Sequence, residues 1–283
     1  MNSKIIFYSR PFPYVKTYKQ MIDCALSHGL TAVEGFCQFD LETPDTDKAK
    51  EIKKYADSKN VIFPCFSLYS NLTSENSKEE IERAKRYAEI ASILGSPYLH
   101  HTITPESVYP KNVLKDKDKH FEKGILAVRE IYDFSEKIGV KTIYEDQGYI
   151  FNGVDNFRNF LSEVDRDVGV VADFGNIYQS NNSIEEFISA FLNKICHVHI
   201  KDISITDCYI KNKSLPSING KFAIEVEVGK GIINFKKCFK MLKEAGYNGY
   251  YGLEYGATDD NSNEIKLALE KIEKTIKDVN ELL

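Results

Sequence analysis

The sequence predicts an α/β protein that forms a single closed (β/α)₈ TIM barrel. Eight short runs rich in β-branched and aromatic residues alternate with eight longer segments of helical period. This alternation is typical of a parallel sheet with helical crossovers, and eight units in about 250 residues is the number of a closed barrel. Apolar residues make up 42% of the 283 residues, which is enough for a large core. An open, doubly wound sheet is the alternative.

The eight predicted strands are short, and the predicted helices lie between them. The strands cover residues 5–8, 32–35, 62–68, 98–102, 142–145, 168–173, 195–201 and 250–255. The helices cover residues 14–27, 46–58, 77–94, 121–138, 155–163, 183–192, 235–245 and 263–282. Asp45, Ser77 and Ser183 mark helix starts, and a glycine such as Gly139 marks a stop. Because no linker rich in Pro, Gly or Ser interrupts this pattern, we expect residues 1–283 to form one domain.

One stretch, residues 204–225, has no clear period. It follows the seventh strand, so it lies at the barrel end where such folds keep their active sites. It is either a loop that covers a substrate or a surface insertion. Just beyond it, Gly229 and Gly231 either offer backbone N–H groups to a phosphate or form the turn into the next helix.

Charge and composition exclude several classes of function. Lys and Arg number 37 against 42 Asp and Glu, and a net charge of −5 disfavours a nucleic-acid partner. The apolar runs are far shorter than the roughly 20 residues that cross a bilayer, so no membrane association is expected. The six cysteines form no tight pair and no secretory signal opens the chain, which predicts a cytoplasmic protein with reduced thiols.

Four consecutive predicted strands carry a charged or metal-binding residue at their C-terminal ends, where the active site of such a barrel lies. These residues are Glu145, Asp173, His199 and Glu254. A single strand-end carboxylate is usually solvated or caps a helix, but four residues in register converge on one point. A divalent cation offsets the repulsion among three carboxylates, and an imidazole completes its shell. We therefore expect one bound metal ion, for which Mn²⁺, Mg²⁺, Co²⁺ and Zn²⁺ all remain open.

Other polar residues near strand ends are candidates for contacting the substrate. Arg10 follows the first strand, and its guanidinium suits a phosphate or a carboxylate. His100 is the histidine of the fourth strand that we expect to face inward. Lys201 either contacts the substrate or pairs with Asp202 at the rim. His197 lies on the same face of its strand as the histidine among the metal candidates but one layer deeper, where we expect it to brace the site.

Short motifs along nearly the whole chain resemble one superfamily. They are Gly29-Leu-Thr-Ala-Val-Glu-Gly35, Leu94-Gly-Ser-Pro97, Tyr144-Glu-Asp146, Asp173-Phe-Gly-Asn176, His197-Val-His-Ile-Lys-Asp202, Gly229-Lys-Gly231 and Gly246-Tyr-Asn-Gly249. In this order they resemble the xylose-isomerase-like barrels. That superfamily includes sugar phosphate isomerases and epimerases, inosose dehydratases, hydroxypyruvate isomerases and apurinic endonucleases.

The resemblance implies a metal-dependent sugar or sugar-phosphate isomerase or epimerase with a role in carbohydrate metabolism. It implies the same four metal ligands, and it makes Glu145 and Glu254 a paired acid and base that transfer a proton through a metal-stabilised enediolate. Which of the two is the base stays open. Asn176, in the strand-six motif, is the remaining candidate for binding the small-molecule sugar.

The sequence also departs from part of the superfamily. Asn176, Phe151 and Ile205 stand where ketose 3-epimerases carry His, Glu and Arg, so a free-ketose 3-epimerase is in doubt. An inosose dehydratase-like lyase and a catalytically inactive sugar-binding barrel are the alternatives. An apurinic endonuclease-like repair enzyme is disfavoured by the net charge of −5. Association into a homo-oligomer stays open.

Overall fold

The computed structural model describes residues 4–9, 15–104, 116–179, 182–210, 214–217 and 220–255, with 266–267, 269–271, 273–274 and 277 near the C-terminus. In chain order the strands are β1 (Ile5–Ser9), β2 (Val33–Phe36), β3 (Phe66–Leu68), β4 (Tyr98–His101), β5 (Lys141–Glu145), β6 (Gly169–Asp173), β7 (Ile195–Ile200), β8 (Asp202–Thr206), β9 (Ser214–Pro216), β10 (Phe222–Val226) and β11 (Tyr251–Tyr255). Eight of them close a barrel in the order β1-β11-β7-β6-β5-β4-β3-β2. All neighbours in this barrel are parallel, so the predicted fold is confirmed.

Helices separate the strands and cover the barrel. They are α1 (Tyr18–Ser27), α2 (Thr46–Ser58), α3 (Ser77–Leu94), α4 (Lys117–Ser135), α5 (Gly148–Phe151), α6 (Val154–Val164), α7 (Phe174–Gln179), α8 (Ile184–Phe191) and α9 (Phe235–Glu244). Two 3₁₀ turns lie at Phe39–Leu41 and Glu136–Ile138, and the described residues near the C-terminus are helical. The short helices α5 and α7 were not predicted, and the predicted last helix lies mostly outside the described residues.

The local signals explain most helix boundaries. The Asp45 carboxylate accepts two backbone N–H bonds at the start of α2, and Ser183 forms a complete capping box with Glu186 at the start of α8. Helix α3 begins at Ser77 as predicted, but its cap residue is Asn76 and no side chain forms a capping hydrogen bond, so the Ser-Lys-Glu-Glu motif is not a capping box. Gly139 takes a left-handed φ of 76°, which ends the turn after α4 as predicted.

The stretch without a clear period folds as a small antiparallel sheet. Strands β8, β10 and β9 pair in that order, and only Lys201 separates β8 from the barrel strand β7. Ile203 and Ala223 are buried beneath this sheet, and β8 and β10 pack against α7. Residues 204–225 are therefore not a simple loop over the described part of the segment.

The interior of the barrel has an apolar layer beneath a polar one. Cys65, Ile143 and Val171 form a separate buried cluster. Each stands two residues before an inward polar residue of β3, β5 or β6, so it fills the layer below. All six cysteines are free thiols. In the part of the chain that the structure describes, no helix has the length and apolarity to cross a membrane.

Candidate active site

The C-terminal ends of β5, β6, β7 and β11 bring four side chains to one point. Nδ1 of His199 is the centre, and one oxygen of each of three carboxylates lies 3.7 Å from it: Glu145, Asp173 and Glu254. All four side chains are buried. Asp173 is the register partner of His199 across β6 and β7, so neighbouring strands hold both at the same level. These are the four residues that the sequence singled out as metal candidates.

Two polar atoms of this cluster have no hydrogen-bond partner. They are Nδ1 of His199 and Oε2 of Glu145. The 3.7 Å separation is too long for a hydrogen bond, and buried polar atoms without a partner are rare and costly. Three carboxylate oxygens and one imidazole nitrogen that face a common point form a donor set that fits a divalent cation.

The two carboxylate oxygens of Asp173 have different partners. Its Oδ1 accepts the backbone N–H groups of Gly175 and Asn176 at 2.9 Å, where α7 begins directly after β6. Its Oδ2 faces His199. The capping role and the predicted metal role are therefore compatible, because they use different oxygens. The two hydrogen bonds of the cap fix the orientation of the Asp173 carboxylate.

Lys201 places a buried ammonium group beside the carboxylates. Its Nζ lies 3.1 Å from Oε2 of Glu254 and 3.2 Å from Oδ2 of Asp173, and it donates to Oδ1 of Asn176 at 3.3 Å. Burial alone would raise the pKa of Asp173, but Lys201 and His199 outweigh burial and hold that pKa below its usual range. The carboxylate is therefore ionised at neutral pH.

Glu34 is a central residue to which the sequence assigned no role. It is fully buried on β2, across the barrel from β7. Its Oε2 accepts from Nε2 of His197 at 2.9 Å, and its Oε1 accepts from Nε2 of His199 at 3.0 Å and from Oγ of Ser67 at 2.6 Å. Burial raises the pKa of Glu34, but the two histidines lower it by more, so the pKa lies well below its usual value. His197 thus has the bracing contact that we expected.

A signal for Glu34 is present in the sequence. A glutamate in the middle of a short apolar strand needs a compensating partner when it is buried. Its two histidine partners lie 163 and 165 residues further along the chain, so only the closed barrel identifies them.

His100 faces the barrel interior, as its position on β4 predicts. Its Nδ1 lies 3.0 Å from Oγ of Ser67, and its Nε2 lies 3.7 Å from Oε1 of Glu145 and has no hydrogen-bond partner. Burial lowers the pKa of His100 to about 4, so its ring is neutral at pH 7. His101 points the other way and contacts the hydroxyl of Tyr144 at 2.8 Å.

Asp202 anchors the glycine turn instead of pairing at the rim. Its Oδ2 accepts the backbone N–H groups of Gly229 at 2.6 Å and Gly231 at 2.9 Å. The phosphate-binding alternative for the two glycines is therefore wrong, since these N–H groups already have a carboxylate partner. Arg10, the remaining candidate for an anionic substrate group, lies outside the described residues.

Comparison with known proteins agrees with the barrel fold. Residues 22–276 match the family described as xylose isomerase-like TIM barrel. The chain belongs to this family. A curated inosose dehydratase from Yersinia enterocolitica is 30% identical over 117 residues, which is 40% of this chain and 39% of that protein. The inosose dehydratase from Clostridium botulinum is 24% identical over 252 residues, which is 84% of either chain.

Solved structures share the fold at lower identity. A D-psicose 3-epimerase with D-tagatose, from Clostridium cellulolyticum, has a TM-score of 0.76 and 18% identity, and the match covers 96% of this chain and 99% of that one. A xylose isomerase-like TIM barrel protein from Mycobacterium smegmatis, in complex with magnesium, has a TM-score of 0.68 and 17% identity over 93% and 88% of the two chains. The sequence relatives thus include proteins named inosose dehydratase, and a protein named D-psicose 3-epimerase shares the fold.

Proposed function

We propose that this protein is a metal-dependent enzyme that removes a proton from the carbon next to the carbonyl group of a polyhydroxylated ketone. The observation that carries this proposal is the convergence of three carboxylates on the unpartnered Nδ1 of His199. We further propose that the reaction ends with loss of water from an inosose-like ring. The relatives named inosose dehydratase support this ending, one of them aligned over 84% of the chain.

The four converging residues would hold the cation: Glu145, Asp173, His199 and Glu254. When bound, the cation supplies Lewis-acid stabilisation of the negative charge that develops on the substrate oxygens as the neighbouring carbon loses its proton. Mg²⁺ is one candidate, since a protein of the same fold is in complex with magnesium. The donor set suits Mn²⁺, Co²⁺ and Zn²⁺ as well.

The chain's own residues move the protons. Glu145 has one oxygen turned to His199 and the other to His100, and the carboxylate is a base that takes the proton from carbon. Lys201 is a buried ammonium group beside Glu254. We assign to Lys201 the protonation of the departing hydroxyl group, so that the C–H and C–O bonds break, a C=C bond forms and water leaves. The neighbouring Asn176 and Asp173 hold its Nζ in place.

An isomerase or epimerase is the second candidate, and the pairing of Glu145 with Glu254 favours it. These two carboxylates lie on strands β5 and β11, on different sides of His199, and each has an oxygen 3.7 Å from Nδ1. One would remove the proton, and the other would return it to the opposite face or to the adjacent carbon. No water is lost in this ending.

One experiment distinguishes dehydration from isomerisation or epimerisation. Metal-free protein reloaded with Mn²⁺ or Mg²⁺ is incubated in D₂O with an inosose and with a panel of ketoses and ketose phosphates. NMR then follows deuterium entry next to the carbonyl, and ultraviolet absorbance follows the conjugated dehydration product. We expect deuterium exchange that requires the metal, and an absorbance increase with the inosose. Lys201→Met should abolish the absorbance increase but retain exchange, while Lys141→Met, at the opposite end of the barrel, should behave as wild type.

Other outcomes would favour one of the alternative functions. Exchange with a rearranged sugar and no absorbance increase would support the isomerase or epimerase. Ketose binding without exchange would support a sugar-binding barrel, and incision of an abasic duplex would support a repair endonuclease. Absence of exchange with every ketone and every metal would overturn the proposal.

A further inference from the structure

The buried carboxylate of Glu34 is hydrogen-bonded to three side chains, and none of them is exposed. Two are the histidines of β7, and the third is Ser67 on β3. An ionised carboxylate only accepts hydrogen bonds. The nitrogens that face Glu34 therefore carry their protons, which makes Nε2 the protonated atom of both His197 and His199.

This arrangement determines which atom of His199 faces the carboxylate cluster. With the proton on Nε2, the lone pair of a neutral His199 ring is on Nδ1. Nδ1 is the atom 3.7 Å from each of the three carboxylates. A carboxylate behind a metal-binding imidazole raises its basicity and fixes its orientation.

The same carboxylate acts on His100 through Ser67. The Ser67 hydroxyl lies 2.6 Å from Oε1 of Glu34, so it donates its proton to that oxygen. Its oxygen is then free to accept from Nδ1 of His100, which lies 3.0 Å away. A neutral ring with its proton on Nδ1 has an acceptor at Nε2.

Nε2 of His100 is buried, has no hydrogen-bond partner and lies 3.7 Å from Oε1 of Glu145. This wall of the site therefore presents two acceptors side by side. The matching ligand group is a donor, and in a polyhydroxylated ketone that donor is a hydroxyl group. A keto or phosphate oxygen would meet two acceptors and be repelled.

We infer that Glu34 is a positioning residue that fixes two imidazoles in opposite tautomers. His199 presents Nδ1 to the cation, and His100, through Ser67, presents Nε2 as the acceptor of a substrate hydroxyl. This inference rests on the proposed function, since it concerns the same site. It extends that function to a residue outside the four proposed metal ligands.

The test uses Zn²⁺ as a diamagnetic probe and protein labelled with ¹⁵N in its histidine rings. In the Zn²⁺-loaded wild type we expect the ring proton of His199 on Nε2 and that of His100 on Nδ1, with each histidine assigned by its own substitution. The opposite tautomer at His199 would overturn the inference. This measurement needs no Glu34 variant, so it decides even if such a variant fails to fold.

Variants then test the two contacts separately, the one from Glu34 to His199 and the one through Ser67 to His100. Glu34→Gln should lower Zn²⁺ affinity about 10- to 100-fold. Ser67→Ala should release the tautomer of His100 but leave that of His199. Ser70→Ala removes another buried serine hydroxyl, one bonded to Thr102, and should change neither.

The outcomes distinguish this inference from the proposed function. If wild type and Glu34→Gln bind Zn²⁺ equally well, the role of Glu34 is refuted and the proposed function is not. Wild type that binds no divalent ion refutes the proposed function, and the inference falls with it.

Discussion

Replacing His101 by glutamine should remove an acid-sensitive contribution to folding stability. His101 is buried with 1% of its surface exposed, and its Nε2 lies 2.8 Å from the Tyr144 hydroxyl. Burial lowers its pKa from 6.5 to about 3. Between these values the unfolded chain binds more protons than the folded one, so stability is complete above pH 6.5 and is lost as the pH falls toward 3. Between pH 6.5, where the unfolded ring is half protonated, and pH 5 the loss is about 1.6 kcal/mol, and the slope rises toward about 1.4 kcal/mol per pH unit as the pH falls.

Urea unfolding of wild type, His101→Gln and Tyr144→Phe at pH 6.5 and pH 5 measures this contribution. We expect wild type to lose about 1.6 kcal/mol more than His101→Gln over that interval. Tyr144→Phe keeps the buried, titratable imidazole of His101, so it should keep the pH dependence of wild type. His100 also resists protonation, but it is present in all three proteins and cancels in the comparison. Parallel stability profiles for wild type and His101→Gln would refute the reasoning.

Two further predictions concern residues that shape the site. A Cβ at Gly252 would lie 2.9 Å from Oε2 of Glu34 and 3.2 Å from Cδ2 of His199, so Gly252→Ala should destabilise the fold by about 1–3 kcal/mol and weaken Mn²⁺ binding. Urea unfolding and calorimetry measure these effects, and unchanged values would contradict the close packing. Asp202→Asn replaces an acceptor of the glycine turn and should cost about 1–3 kcal/mol, with faster protease cleavage near Gly231. Wild-type cleavage would contradict the anchoring role.

The sequence was sufficient for the barrel because its signals are local. Strand and helix positions follow from hydrophobic period and from caps such as Asp45, which act within a few residues. The four strand-end residues could be grouped because a closed parallel barrel places all strand ends at one rim. Parity along β4 also separated His100 from His101 correctly.

What the sequence missed depends on contacts between distant segments. The sheet of β8, β9 and β10 has no clear sequence period, because its strands are short and its buried face lies on α7. Glu34 has a charge whose partners lie on the far side of the barrel. The sequence of the glycine turn is compatible with phosphate binding, and only the folded structure shows that Asp202 accepts its N–H groups.

The central claim is that a divalent cation binds where three carboxylates meet His199. Calorimetric titration of metal-free protein with Mn²⁺ tests it most directly, in wild type, in Asp173→Asn and in Asp146→Asn. Asp146 is a matched control, since it is a buried carboxylate next to Glu145 whose Oδ1 accepts from the backbone of Gly153. We predict one Mn²⁺ per chain in wild type and in Asp146→Asn, and strongly weakened binding in Asp173→Asn. Binding that is absent from wild type, or equal in all three proteins, would contradict the account.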